Sequence, residues 1–197
     1  TRKVKRTTAI VINAAGSLMI DSDKLDALYM KLTNLTEPCR LIDAEIVFDF
    51  FAKPVGKHID GGPIGYTWPE NDPTWSLGHR FPGRDRKWFE DRTDKNPLLI
   101  ERDGAFVQMN SLRILELTRN VNDAIDFFDK MIPDCDWGIT SRRDFSVAPQ
   151  LDFKAAAYKI VPPETVNPNP NTWNAYGASP AIALMAVIMR KLRDEIQ

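Results

Sequence analysis

From His79 to Phe89 the chain reads HRFPGRDRKWF, which sets five cations or potential cations among three aromatic rings. Guanidinium groups grip phosphate oxygens bidentately, and aromatic faces stack on nucleobases, so residues of these types at this density suit a nucleotide or a single strand. His79, Arg80, Arg84, Arg86 and Trp88 are the candidate ligand-binding residues, with Trp75 just upstream as a further stacking ring. The competing reading is mechanical. Trp75, Phe81, Trp88 and Phe89 would anchor a long loop to the domain, while the arginines pair with Glu90, Asp91 and Asp94.

Other chemistries find weaker support. His58, Asp60 and His79 could meet Cys39 or Cys135 around a metal, but no pair has the i, i+3 or i, i+4 placement of a helical metal pair, nor a zinc-finger spacing, so no metal ligand is assigned. GxSxG, P-loop, HExxH and GxGxxG motifs are all missing, which removes the commonest sequence warrants for a hydrolase, an NTPase, a metalloprotease or a dinucleotide enzyme. The carboxylates Asp43, Glu45, Asp49, Glu90, Asp91 and Asp94 read as solvated faces, and no catalytic residue or cofactor is assigned. The formal net charge of −1 exerts no global pull on DNA, RNA or anionic lipid, so any such binding must be local. Two cysteines far apart in sequence fit a reducing cytoplasm. Basic residues before Ala9 to Ile12 do not make a convincing signal peptide, because Asn13 interrupts a short apolar run.

The candidate residues fall in the most irregular part of the chain. Between Lys53 and Pro97 a glycine or proline punctuates almost every turn, a density that helices cannot survive, and the expectation is one long inserted loop. Before it, residues 1–20 form an N-terminal arm or a short strand from Thr7 to Ile12. Leu25, Leu28, Tyr29, Leu32 and Leu35 then mark a first amphipathic helix, and Leu41, Ile42, Ile46, Val47, Phe48, Phe50 and Phe51 a second, joined as a hairpin or an L. After the loop, Leu98–Ile100 and Ala105–Val107 flank the turn dipeptide Asp103-Gly104. A third helix starts at Asn120 or Asn122 and ends at Pro133; Trp137–Arg142 and Lys154–Val161 read as an antiparallel strand pair, and Pro162–Thr172 as a loop. Ser179 caps a final helix with Pro180 at its first position. From Ala181 to Met189 no residue is polar. A helix apolar all round must be covered on most faces, and nine residues are too few to span a bilayer, so this is a core helix.

The fold class expected is therefore α/β (α+β): a small, mostly antiparallel sheet sandwiched by helices, one domain over residues 21–197, with the long loop at 53–97. The segment Val121-Asn-Asp-Ala-Ile-Asp to Pro133, then Trp137, two strands, and the ending Ala178-Ser-Pro-Ala-Ile-Ala-Leu-Met-Ala resembles the small phage and prophage proteins of the "phage ABA sandwich" type. The start of the chain, with Leu25, Leu28 and Leu32 followed by Leu41-Ile-Asp-Ala-Glu-Ile, is similar to theirs. The likeness covers about residues 22–52 and 112–195; the span from Lys53 to Asn110 is longer than it leads one to expect. It implies phage origin and an α/β sandwich, and supplies no catalytic residue. Taken together, the expectation is a non-enzymatic, phage-encoded accessory protein in the host cytoplasm. It would bind a host protein or a small nucleotide, with a counter-defence role in view, and no membrane or genomic DNA. Homo-oligomerisation is left open. The alternatives are an enzyme acting on a nucleotide through the 53–97 loop, or a structural or assembly protein.

Overall fold

A computed structural model describes residues 11–13, 16–18, 20, 22–68, 72–92, 97–141, 152–160 and 172–196. Along the chain, strands β1 (Val11–Asn13) and β2 (Gly16–Leu18) precede helices α1 (Ser22–Thr33) and α2 (Arg40–Phe51). Strands β3 (Lys53–Val55), β4 (Gly65–Trp68) and β5 (Asp72–Pro82) follow, then the short helix α3 (Arg86–Glu90) and the hairpin β6 (Leu99–Arg102) and β7 (Ala105–Met109). After a 3₁₀ turn at Ser111–Arg113 come α4 (Val121–Met131), β8 (Cys135–Ser141), β9 (Phe153–Lys159), β10 (Thr172–Gly177) and α5 (Pro180–Ile196). The mixed α/β class matches expectation. Of the N-terminal arm, residues 1–10 lie outside the described residues, and the backbones of β1 and β2 pair antiparallel.

The chain divides into two compact units, Thr1–Cys39 with Glu116–Gln197, and Arg40–Leu115. The two N-terminal helices, expected as a pair, therefore fall in different units.

The first unit is built around α5. Every residue from Ala181 to Met189 is buried, as an all-round apolar helix demands. Ser179 caps it, its hydroxyl accepting from the Ile182 N–H at 3.2 Å. Leu25, Leu28 and Leu32 of α1 cover one side, and Ala124, Phe127, Phe128 and Met131 of α4 belong to the same core. A three-stranded antiparallel sheet in the order β10-β9-β8 covers another. Its helix-facing residues are small, Ala155, Ala157 and Ala175 being buried in register across β9 and β10, so α5 can lie close to the strands. At Gly177 the approach is closest: a Cβ there would come within 2.5 Å of the Ala183 nitrogen.

That sheet differs from the two-stranded ribbon expected. The third strand, β10, was expected to be only the lead-in to the last helix, because the proline and asparagine run before it dominates the local pattern. Yet residues 173–177 alternate as a half-buried strand should, with Ala175 and Gly177 inward.

In the second unit a five-stranded antiparallel sheet, ordered β3-β4-β5-β7-β6, carries α2. Phe51 stacks flat on Trp68 at 4.2 Å, Phe48 meets Tyr66 edge-on at 4.5 Å, and Arg102 chelates Asp49 through two hydrogen bonds of 2.9 and 3.2 Å. The span expected as a long loop thus supplies three of the sheet's five strands. Its glycines and prolines do not stop the strands: some lie in turns, and others within strands, such as Gly78 of β5, where a Cβ would come within 2.9 Å of Val107. Pro54 lies on the edge strand β3, where a missing N–H does little harm, and Gly83 turns with φ +69° after β5. The Asp103-Gly104 hairpin formed as expected, both residues at positive φ.

Among the described residues no helix is long and apolar enough to cross a membrane. Charged side chains do enter the cores: Asp43 of α2, read above as a solvated carboxylate, is fully buried in the second unit, and Lys191 of α5 in the first. Lys191 is only 2% exposed, and its ammonium bonds Asp134 at 3.3 Å and Glu195. Burial pushes the Asp134 carboxyl up, but the attraction and hydrogen bond of Lys191 outweigh it, and the group ionises below its ordinary 3.8.

Two outcomes follow from this packing. Gly177→Ala forces its new methyl against backbone of α5, and urea denaturation should show a loss of about 1–3 kcal/mol. The Asp134 contribution is fully present above pH 3.8 and is lost as pH falls through the lowered value. The urea midpoint should therefore drop between pH 5 and pH 2.5 more steeply for the wild type than for Lys191→Met, where the partner is gone.

Candidate functional site

All the candidate ligand-binding residues lie in the second unit, and the structure divides them among three places. His79 and Arg80 are neighbours on β5, opposite Gln108 and Val107 of β7. His79 is exposed. Arg80 is turned into the β3–β4 connection, where one guanidinium nitrogen donates to both Asp60 oxygens, at 2.8 and 3.1 Å. Its side chain is 10% exposed and lies so close to Gly62 that a Cβ there would meet it at 2.6 Å. Asp60 also accepts from the Gly62 N–H at 3.0 Å and meets His58 Nδ1 at 3.2 Å. The Arg80 hydrogen bond, with the Gly62 amide second, lowers the Asp60 carboxyl below its ordinary value. Arg80 is therefore engaged as a staple of this turn, unlike the other candidate arginines. A two-oxygen carboxylate is already its anion.

The second place is α3. Asp85 caps it, accepting from the Trp88 N–H at 2.9 Å, and this short helix carries Trp88 and Phe89 side by side. Phe89 is 1% exposed and meets Phe81 and Phe106 edge-on at 5.2 and 5.8 Å, so it fastens the helix to the sheet. Trp88 is half-buried, with Phe81 5.7 Å away on one side. Two guanidiniums lie over its ring, Arg84 at 4.9 Å and Arg92 at 4.5 Å from the centroid. Among the described residues no carboxylate pairs with either arginine, although Asp85, Glu90 and Asp91 are close in sequence. So the mechanical reading holds for Phe81 and Phe89, while the arginine pairing it supposed is not found with Glu90 or Asp91. Asp94 lies outside the described residues.

Arg92 was not among the candidates. Arg84 precedes the Asp85 cap and Arg92 follows the end of α3, so no helical periodicity in the sequence marks the pair; only the folded turns on either side of α3 bring both guanidiniums over the ring. Trp75 falls on β5, and its side chain lies outside the described residues.

Arg86 belongs to the third place, a groove of about 380 Å³ at the start of α2 and β6. Leu41, Pro97, Leu98 and Leu99 give it apolar walls, and Arg86 and Glu90 stand at its polar side. Although they are one helical turn apart, these two form no ion pair with each other. Arg40 also borders the groove, but its guanidinium is committed to the carbonyls of Ser111, Ile114 and Leu115 at 2.9 to 3.0 Å.

The metal-site alternative can be placed as well. Cys39 and Cys135 are free thiols, and burial pushes Cys135 up to about 11, which leaves it protonated at neutral pH. Among the described residues no group of three or more His, Cys, Asp and Glu side chains could hold a metal ion.

Compared with known proteins, the chain matches no family model, no curated protein and no solved structure.

The division of the arginines has a direct check. Arg80→Ala should speed hydrogen exchange at the Gly62 amide, because Asp60 loses the partner that holds it; Arg84→Ala should leave that amide unchanged. Equal effects of the two substitutions on Gly62 would show that Arg80 is not the staple.

Proposed function

We propose that the protein is a non-enzymatic binding protein whose Arg84–Trp88–Arg92 surface takes a flat, anionic ligand of the nucleotide class. The observation that carries this reading is the stack itself: two guanidiniums rest on one half-exposed indole with no carboxylate neutralising them among the described residues. A cation over the ring is held by the ring's quadrupole, and among the described residues no carboxylate pairs with either guanidinium, which leaves their donors to a ligand. Phosphate oxygens would take those donors, and a base would lie on the indole or on the guanidinium plane. Phe89 and the Asp85 cap hold the platform before any ligand arrives, which reduces the ordering cost of binding. A phage accessory role in a host cytoplasm, directed at a host protein, rests on the sequence resemblance alone.

A thermal-shift series with ATP and a cyclic dinucleotide tests the reading. A nucleotide present at about 100 times its dissociation constant should add about 2.7 kcal/mol of stability, visible as a rise in Tm. The double variant Arg84→Ala/Arg92→Ala should lose that rise. Its unliganded stability should fall only slightly, since exposed cation–π contacts contribute about 0.5–1 kcal/mol each. No shift with any nucleotide would overturn the binding reading, and recovery of the nucleotide cleaved would replace it with the enzyme reading.

A further inference from the structure

The groove at the start of α2 and β6 is lined by neither Trp88 nor the two arginines over its ring, and it has a chemistry of its own. Leu41, Pro97, Leu98 and Leu99 supply an apolar wall. Leu99 is buried and Pro97 and Leu98 are half-buried, but Leu41 is 38% exposed, so the wall still shows hydrocarbon to water. Its volume of about 380 Å³ falls at the small end of the roughly 300–1,000 Å³ typical of small-molecule sites.

Three charged side chains border this wall, and they are not equivalent. Arg40 is already satisfied: its guanidinium donates to the carbonyls of Ser111, Ile114 and Leu115, and the buried Asp43 carboxylate, 3.5 Å away, balances its charge. Arg86 and Glu90 differ from it. Both are exposed, and among the described residues neither side chain has an ion pair or a hydrogen bond. They stand one turn apart on α3, where Cβ atoms are about 5–6 Å from each other, near enough to pair and yet unpaired. Once Arg40 is balanced, the groove therefore presents one cation and one anion side by side at the rim of an apolar wall.

We propose that this groove binds a free α-amino acid with a large apolar side chain, its carboxylate on Arg86, its ammonium on Glu90 and its side chain against Leu41 and Leu98. The charges decide among ligand classes. A fatty acid or a phosphate gains Arg86 but meets Glu90 as a like charge, and a simple amine gains Glu90 but meets Arg86. A zwitterion gains both, and the two charged groups of an amino acid sit on a single carbon, a spacing that suits neighbouring side chains on one helix face. Guanidinium also fits a carboxylate well, because it can donate two parallel N–H bonds to the two oxygens. The ligand's hydrocarbon then contributes in proportion to the apolar area that the wall removes from water.

Titration of the full chain with L-phenylalanine and L-leucine, read by calorimetry and by amide NMR shifts, tests this. At least one of the two should bind with shifts centred on Leu41, Leu98 and Leu99, and glycine should bind about tenfold more weakly or worse. Removing a charge from the ligand should act like removing its partner from the protein. N-Acetylphenylalanine and phenylalaninamide should each bind the wild type about tenfold more weakly than phenylalanine, the loss expected for one charge-assisted hydrogen bond. Arg86→Gln should weaken phenylalanine by a similar factor but bind phenylalaninamide no more weakly than the wild type does. Glu90→Gln should weaken phenylalanine and bind N-acetylphenylalanine no more weakly. Both side chains are exposed, so each variant keeps the fold and can be titrated. The proposal is overturned if neither amino acid binds at about 10 mM, tenfold above a millimolar dissociation constant. Shifts centred outside the groove, blocked ligands that bind as well as phenylalanine, or a variant that binds phenylalanine like the wild type would each overturn it too.

Discussion

Nine consecutive buried residues on α5 impose the constraint from which the first unit follows. A helix with no polar face cannot end at one neighbouring layer, so it must be enclosed. The chain encloses it with α1, α4 and a sheet of three strands, and the sheet succeeds because its inner residues are alanine and glycine. Large side chains on β9 and β10 would hold the helix off. Small ones let the backbone of β10 come almost into contact with the first turn of α5 at Gly177, and the Ser179 cap fixes where that turn begins. Lys191 shows the limit of such enclosure. Where the helix runs out of apolar residues, its first buried cation needs two carboxylates to stay in the core.

In the second unit the same residue type performs unlike tasks according to what surrounds it. Arg40 satisfies backbone carbonyls that the end of the 3₁₀ turn leaves open, Arg102 chelates Asp49 beneath α2, and Arg80 holds a turn through Asp60. Each has a nearby acceptor and is partly or largely shielded from water. Arg84 and Arg92 have an aromatic ring in place of an acceptor. That difference separates arginines that complete the fold from arginines left with donors to spend on something else. Density of arginine along the sequence could not reveal it, because the acceptor of Arg80 lies twenty residues upstream and is brought near only by the pairing of β4 with β5.

The proposed platform at Trp88 is held in place before any ligand arrives. The Asp85 cap and the Phe81–Phe89–Phe106 contacts position its ring, and a positioned surface loses less freedom on binding.

Local signals were enough for the elements whose cause is local. The periodicity of Leu25, Leu28 and Leu32, the Asn120 and Ser179 caps, the Asp103-Gly104 turn and the apolar run of α5 all depend on near neighbours, and the structure has them. The span from Lys53 to Pro97 was misread as a loop because strand formation there is decided by partners distant in sequence. Glycine and proline lower the local preference for a strand, but cross-strand hydrogen bonds to β7 and the rings of α2 restore it, and neither is visible in a window of ten residues. The candidate site divided for the same reason. Composition alone sufficed to gather His79, Arg80, Arg84, Arg86 and Trp88 into one suspicion. Only the tertiary structure could decide that Arg80 is engaged, that Arg86 faces a groove and that Arg92 joins Trp88, since a guanidinium goes wherever the folded chain places its nearest acceptor or ring.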